Sequence, residues 1–178
     1  TSSESSVSTP RVLLKLSDGQ SEMVKENACR LRSMPNDTAA ILLDYGRELH
    51  GGLKLILGPS NKREPATIRI RFGESVSEAC SPIRYTGWKK GFSTNDHAMR
   101  DITMKIGNTG FRFVRIDLLQ TGVNVHIKEA SAILRYRDIP YLGSFRCSDE
   151  RLNQIWMTGA YTVHLNMQEY LWDGIKRD

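Results

Sequence analysis

The densest group of residues that could do chemistry stands at the C-terminal end, in the heptapeptide WDGIKRD. Asp173 and Asp178 are two carboxylates five residues apart, and Trp172, Lys176 and Arg177 stand beside them. Carboxylates accept hydrogen bonds from vicinal hydroxyl groups, and an indole ring covers an apolar ring face. The group therefore fits a binding site for a polyhydroxy ligand. The alternative is that it forms the charged end of a helix.

A second candidate lies in the longest stretch without a periodic pattern, roughly residues 73–100, which contains Tyr85 and Trp88. Long inserts in compact domains are often functional, and these rings could stack on a sugar face. The alternative is that they close one end of the domain. Asp44 and Glu48 indicate an ion-paired turn rather than an acid–base pair, because a cation stands between them.

Metal and cofactor chemistry is not predicted. Cys29, Cys80 and Cys147 lie far apart, as do the four histidines, and none has the spacing of metal ligands. We expect free, mostly buried thiols. The stretch from Thr1 to Leu142 holds no Gly-rich phosphate loop, nucleophile elbow or HExxH motif. We therefore expect neither a metal nor a cofactor.

The net charge of +5 raises the question of a nucleic-acid partner. A nucleic-acid binder gathers its cations on one face, whereas Arg69 and Arg71 alternate with apolar residues in IRIRF. This alternation is typical of the solvated face of a half-buried sheet, so no nucleic acid is predicted. No apolar run approaches the ~18 residues of a membrane span.

Period-two alternation of apolar residues dominates the first three quarters of the chain and predicts seven or more strands. The runs cover residues 12–16, 41–45, 53–57, 68–72, 102–106, 110–119 and 130–136. Turn signals such as Gly51-Gly52 and Asn108-Thr109-Gly110 separate them. A change of apolar phase between Phe113 and Val114 predicts a bulge or a strand buried on both faces. Strands without intervening helices favour a mainly β fold, an antiparallel β-sandwich of jelly-roll-like topology.

The pattern changes after Asp138. Ser148 can cap a helix, because acidic residues follow it and oppose the helix dipole. Residues at helical spacing then form one long apolar stripe: Leu152, Ile155, Trp156, Gly159, Val163, Met167 and Tyr170. Gly159 would let another helix approach closely. Because such a face needs partners, it predicts the first helix of a second, truncated domain.

This pattern divides the chain into three parts. Residues 1–10 are rich in Ser and Thr and are predicted to be a linker or the edge of a longer chain. Residues 11–138 form the sandwich. Residues 139–178 form a linker strand and one long C-terminal helix.

The order of several segments resembles that of the bacterial α-L-rhamnosidases of glycoside hydrolase family 78. DYGRELHGGLKLIL resembles their strand pair with a D-F-G-r-e-x-x-G-G core, and RIRFGES and GFRFVRIDL resemble two later strands. GSFRCSDERLNQIWMTGAYTVHLNMQEYLWDGIKRD resembles the start of their catalytic (α/α)6 barrel. The similarity covers roughly residues 39–178. It implies an accessory β-sandwich followed by the first helix of a truncated (α/α)6 barrel.

The family motif that follows this helix, approximately D-C-P-x-R-E, implies roles for the last residues. Asp173 falls at the rhamnose-binding Asp of this motif, Arg177 at its Arg, and Asp178 at its Glu, which belongs to the catalytic carboxylate cluster. Trp172, directly before Asp173, is a further candidate for binding the sugar. Gly174-Ile175 replaces Cys-Pro, and Asp178 is one methylene shorter than Glu, which matters for a general acid. The implied reaction of the full-length enzyme is inverting hydrolysis of terminal α-L-rhamnosides. Because the family's base lies further along the chain, this piece alone is predicted to be inactive.

Two other functions remain open. The sandwich could be a non-catalytic carbohydrate-binding module that uses the Tyr85–His97 insert, or a purely structural domain that orients the barrel. The resemblance implies a rhamnose-containing oligosaccharide or glycoside and the missing (α/α)6 domain as partners. It also implies a periplasmic or cell-surface location.

Overall fold

The computed structural model describes residues 6–15, 28–58, 60, 66–81 and 102–176. These residues form six strands in one antiparallel sheet, in the order β1-β2-β6-β3-β5-β4, and two α-helices. The strands are β1 (Val7–Ser8), β2 (Cys29–Arg32), β3 (Ala40–Leu57), β4 (Ile68–Gly73), β5 (Ile102–Leu118) and β6 (Asn124–Leu134). The helices are α1 (Val76–Cys80) and α2 (Glu150–Asn166). Neither helix combines the length and the apolar composition that a membrane span requires.

The sheet folds over on itself. Strands β3 and β5 are 18 and 17 residues long and pair along their whole length, with register shifts between Asp44 and Leu49 and between Gly51 and Leu53. Such bulges bend and twist a strand pair. Although β6 and β3 separate β2 from β5 in the sheet, Ser33 after β2 donates a hydrogen bond of 2.6 Å to the carbonyl of Leu118. The two ends of the sheet therefore face each other as the layers of a sandwich.

One hydrophobic core fills the space between the layers. Phe72 of β4 packs edge to face on Phe111 of β5, with ring centroids 5.0 Å apart. Phe72 also covers Gly107, where an added Cβ would lie 2.7 Å from its ring. Fully buried aliphatic side chains complete this core: Leu31, Leu53, Leu55, Leu57, Ile68, Val114, Ile116, Leu118 and Ile127. The prediction of an antiparallel sandwich with a C-terminal helix is confirmed.

The predicted turns at Gly51-Gly52 and at Asn108–Gly110 are wrong, because both signals lie inside continuous strands. Gly51 has φ +148°, and an added Cβ there would lie 1.9 Å from the carbonyl oxygen of Ile133 in β6. The glycine thus allows close approach of a neighbouring strand at a bulge, which is the other common use of glycine in strands. The predicted phase change in β5 is confirmed, since Phe111 and Val114 are both fully buried.

The N-terminal region also differs from the prediction. The strand predicted at residues 12–16 is wrong for its described part, because residues 10–14 form a short 3-10 helix in which Leu14 is 83% exposed. Pro10 fixes φ and lacks an N–H group, and Thr9 before it is left-handed with φ 53°, so a strand cannot run through this point. Val7 and Ser8, in the predicted linker, pair with β2.

The arginines of β4 do not form the predicted solvated face. Asp117 of β5 is fully buried, and its carboxylate accepts hydrogen bonds from Arg69 Nε at 3.1 Å, Arg71 Nη2 at 3.0 Å and Arg115 Nε at 2.8 Å. Arg71, only 6% exposed, also donates to the carbonyl of Ser81 after α1. Burial alone would raise the pKa of Asp117, but hydrogen bonds from Arg115 and Arg69 outweigh it and lower that pKa. The cations thus neutralise a buried carboxylate.

Helix α2 begins as predicted within one residue. Its N-cap is Asp149 rather than Ser148, and the Asp149 carboxylate accepts from the backbone N–H of Arg151 at 2.9 Å. The predicted helix is too long, because α2 ends at Asn166 and leaves Met167 and Tyr170 of the apolar stripe beyond it. The part of the stripe on α2 is largely exposed, with Ile155 58% exposed, and nothing among the described residues lies within 4 Å of a Cβ added at Gly159. The helix contacts the sandwich through another face, which carries Tyr161, His164 and Leu165.

The cysteines are free, as predicted, but only Cys29 is fully buried. Burial raises the pKa of the Cys29 thiol to about 11, so this residue stays a neutral core side chain.

Candidate functional site

The chain folds back toward the sheet after α2, in residues 167–176, here called the C-terminal segment. The backbone N–H of Trp172 donates to the carbonyl of Asn166 at 3.1 Å, and Met167 bridges to Leu171. Arg137 Nη2 donates to the carbonyl of Gln168 at 2.7 Å. These bonds fix the first half of the segment against the connection that follows β6.

The second half of the segment is fixed on β5 and α1. The side chain of Ile175 lies directly over Gly110, 2.5 Å from the position of an added Cβ. Lys176 forms an ion pair with Glu78 of α1. Asp173 lies between the two fixed halves of the segment and is exposed, while Trp172 is partly buried with its ring edge to face on Tyr170 at 5.7 Å. The sandwich thus holds in place the segment that carries Trp172 and Asp173, two of the predicted sugar-binding residues.

A cleft of about 530 Å³, here called the junction cleft, opens between the sandwich and the C-terminal segment. Its lining comes from β3, from β5, from the connection after β6 and from the C-terminal segment: His50, Asn108, Arg135, Tyr136, Arg137, Met167, Gln168, Glu169 and Trp172. Sites for small ligands commonly have volumes of about 300–1,000 Å³, and this cleft lies within that range.

His164 of α2 holds the wall of this cleft in place. Its Nε2–H donates to the carbonyl of Arg137 at 2.5 Å, and Nδ1 accepts from the hydroxyl of Tyr141 at 3.1 Å. The ring also stacks on Tyr136 with centroids 3.8 Å apart. A buried imidazole with both nitrogens engaged fixes the connection that carries three of the lining residues.

The electrostatics of the junction cleft are mixed. Burial, reinforced by the nearby Arg135, lowers the pKa of His50, so this histidine is neutral near pH 7. Arg135 and Glu169 lie on the same cleft without an ion pair to each other or to any other residue in the described ranges. The cleft therefore presents two cations, Arg135 and Arg137, together with one anion, Glu169, and a neutral imidazole.

The ion pair predicted at Asp44 is present, but the predicted turn is wrong, because Asp44 and Glu48 lie inside β3 at a register shift. Asp44 binds Arg112 of β5 with two hydrogen bonds of 2.8 and 2.9 Å, not the adjacent Arg47, whose guanidinium lies over the ring of Tyr161. Glu48 takes no part in this pair. Its Oε1 is buried and has no hydrogen-bond partner among the described residues.

Burial raises the pKa of Glu48 to about 7, with contributions from the Glu74 and Glu78 carboxylates that outweigh the Lys176 and Arg112 cations. In the unfolded chain the pKa of Glu48 is about 4.5. Between pH 4.5 and 7, Glu48 is therefore protonated in the folded chain and ionised in the unfolded chain. Stability contributed by this proton is therefore complete below pH 4.5 and is lost as the pH rises through 7.

We expect Glu48→Gln to remove this pH dependence. The melting temperature of the wild-type chain should fall between pH 5 and 8, and the variant should melt higher than wild type at pH 8, because a neutral amide needs no proton. Melting curves at several pH values measure this, with Glu169→Gln as a control at an exposed carboxylate. A variant that follows the wild-type profile would contradict the assignment.

The predicted site residues are only partly described by the structure. Trp172 lines the junction cleft, and Asp173 stands beside it on the exposed side of the C-terminal segment. Asp178, Arg177, Tyr85 and Trp88 lie outside the described residues, so their roles stay predictions. No group of three or more His, Cys, Asp or Glu side chains with the geometry of a metal site occurs in the described part of the chain.

The sequence alone did not predict four polar residues of the cleft, namely His50, Asn108, Arg135 and Glu169. Each stands on a different segment, and no motif links them. The one local signal was the Gly51-Gly52 pair after His50, which marks a close approach of strands.

No known protein-family profile matches the sequence, and no curated protein matches it either. Among solved structures, the chain is similar in fold to a rhamnosidase from Klebsiella oxytoca with rhamnose bound. The match covers 84% of this chain and 30% of the other, with 22% identity and a TM-score of 0.66. A GH78 family rhamnosidase of Bacillus sp. GL1 matches over 94% of this chain and 17% of the other, with 20% identity and a TM-score of 0.67.

A fucose binding module from Streptococcus pneumoniae is less similar, with 12% identity and a TM-score of 0.48. This match covers 70% of the present chain and 84% of the module. The chain spans less than a third of the length of the two rhamnosidases. The comparisons show that it has the fold of a part of these enzymes.

Proposed function

We propose that this chain is a piece of an α-L-rhamnosidase-like glycoside hydrolase of family 78. The observation that carries the proposal is the extent of the fold likeness, which covers 94% of the chain in one rhamnosidase and so reaches beyond residues 11–138 into the helical part. The family-like segments occur in the same order along the sequence. The exposed apolar stripe of α2 also supports a helix that packs on further helices of an (α/α)6 domain.

In this proposal the sandwich is an accessory domain, and residues 139–178 begin the catalytic domain. Asp173, Trp172 and Arg177 bind the terminal rhamnose. Asp178 protonates the glycosidic oxygen, and a carboxylate base about 6.5–9.5 Å away, further along the full-length chain, activates water on the other face of the sugar. Hydrolysis then inverts the anomeric configuration. The substrate is a rhamnose-containing oligosaccharide or glycoside, met in the periplasm or at the cell surface.

The test is hydrolysis of a nitrophenyl α-L-rhamnoside by this chain alone and by the chain extended through the reading frame that follows Asp178. We expect no turnover by the 178-residue chain. The extended protein should release β-L-rhamnose first, as followed by proton NMR. Asp178→Asn in the extended protein should lower kcat by about 10²–10⁴-fold, as expected for loss of a general acid.

The matched control is Asp149→Asn, which removes the carboxylate that caps α2 and should leave kcat unchanged. Turnover by the 178-residue chain would contradict the proposal that a carboxylate base beyond Asp178 activates the water. First release of the α-anomer would contradict inversion, and an inactive extended protein would overturn the rhamnosidase proposal.

A further inference from the structure

We propose that the junction cleft is a binding site for a saccharide, to which the sandwich itself contributes His50, Asn108 and Arg135. This places a sugar-binding surface on the accessory domain side of the chain, next to the proposed rhamnose site, with which it shares Trp172. The variant at Arg135, which belongs to the cleft alone, distinguishes the two sites in the experiment below. The inference rests on the proposed function only for the choice of rhamnosides among the probes below.

The shape of the cleft fits a pyranose unit held from two sides. One wall is the sandwich and the connection after β6, and the other is the C-terminal segment. Trp172 supplies a partly exposed indole, on which the apolar C–H face of a pyranose can stack. Hydrogen bonds and an ion pair fix both halves of the C-terminal segment, so the ring is held in place before a ligand arrives.

The polar groups of the cleft match the hydroxyl groups of a sugar, each of which can both donate and accept. Arg135 offers several N–H donors, Glu169 offers carboxylate acceptors, and the Asn108 amide offers both. Arg135 and Glu169 form no hydrogen bond or ion pair through their side chains within the described ranges, so both remain available to a ligand. Arg137 lines the same cleft and adds a second cation, so the charges of the cleft do not select against an acidic sugar.

His50 is the observation that points most directly to a ligand. It is 9% exposed and lines the cleft, and its Nδ1 has no hydrogen-bond partner among the described residues. Buried polar atoms are almost always hydrogen-bonded, and an unpaired one calls for a partner that is not yet named. The Nδ1 atom itself is enclosed, so a sugar hydroxyl in the cleft would supply that partner once the imidazole ring turns toward the cleft. A hydroxyl can serve either tautomer of the neutral ring.

The experiment follows the indole N–H signals of the ¹⁵N-labelled chain in NMR titrations. The chain has three tryptophans, Trp88, Trp156 and Trp172, so Trp172→Phe assigns the signal. The probes are methyl α-L-rhamnoside, the rhamnose–glucose disaccharide rutinose, methyl α-D-glucoside and D-galacturonate. We expect a saturable shift of the Trp172 signal with at least one of these sugars.

Arg135→Gln and Trp172→Ala should each weaken this binding at least tenfold. Arg135 is exposed, so its variant tests the cleft without a risk to folding. The matched controls, Arg151→Gln and Trp156→Phe, change a cation and an indole on α2 away from the cleft and should bind as wild type does.

The outcomes separate this site from the enzyme proposal. Binding of sugars other than rhamnosides still supports the cleft, while the rhamnosidase proposal is decided by the activity assay. No saturable shift with any probe, or equal binding by Arg135→Gln and wild type, would overturn the site.

Discussion

Replacing Asp117 by asparagine is expected to lower the free energy of unfolding by about 3–5 kcal/mol, the usual cost of removing one partner from a buried ion pair. The Asp117 carboxylate is fully buried and contacts three guanidinium groups, of which Arg71 is itself buried. The amide would leave these cations without a counter-charge in a poorly solvated place. Urea denaturation followed by circular dichroism measures the loss.

The pH dependence gives a second measure of the same carboxylate. The pKa of Asp117 is lower in the folded chain than its unfolded value of 3.8. The stability that this carboxylate contributes is therefore present above pH 3.8 and is lost as the pH falls through the folded-state pKa. Asp117→Asn should abolish this part of the acid sensitivity. Asp44→Asn, at an exposed pair with Arg112, is the control and should change the urea midpoint far less. Equal midpoints for Asp117→Asn and wild type would contradict the structure of this cluster.

Gly51→Ala is expected to cost about 3 kcal/mol or more, or to prevent folding altogether. The new Cβ would lie 1.9 Å from the carbonyl oxygen of Ile133, which is backbone and cannot rotate away as a side chain could. The φ of +148° at Gly51 adds strain for any L side chain. Thermal unfolding and a ¹H–¹⁵N correlation spectrum measure the effect.

Gly159→Ala is the matched control, with an effect of opposite sign. Nothing among the described residues would meet its Cβ within 4 Å, and the residue lies inside α2. Alanine is favoured over glycine in helices by about 1 kcal/mol, so this variant should be slightly more stable than wild type. A Gly51→Ala chain that melts with the wild type would show that β3 and β6 do not approach as closely as described.

Period-two alternation predicted the fold class well, because burial of every second side chain is a local property that each strand displays in its own sequence. Ile68, Ile70 and Phe72 illustrate this, since all three are buried as expected. The sequence could not distinguish a turn from a bulge at Gly51-Gly52. Both uses need a glycine, and only the position of β6 decides between them.

The arginines of β4 show a second limit. Arg69 and Arg71 alternate with core residues, so the pattern favours a solvated face for them. Their actual partner, Asp117, stands 48 and 46 residues further along the chain, and the carbonyl of Ser81 completes the site. The junction cleft is similar, because its polar residues come from four separate segments with no shared motif. Trp172 was predictable because a dense polar cluster surrounds it in the sequence.

The cluster around Asp117 also explains part of the basic character of the chain. Three guanidinium groups and one carboxylate leave two positive charges, out of a formal net charge of +5, on a partly buried patch of the sandwich. These charges contribute to electrophoretic mobility and to retention on a cation exchanger, yet they are bound internally and offer little to a polyanion. Part of the high isoelectric point therefore comes from the arginines that neutralise the buried carboxylate of the sandwich.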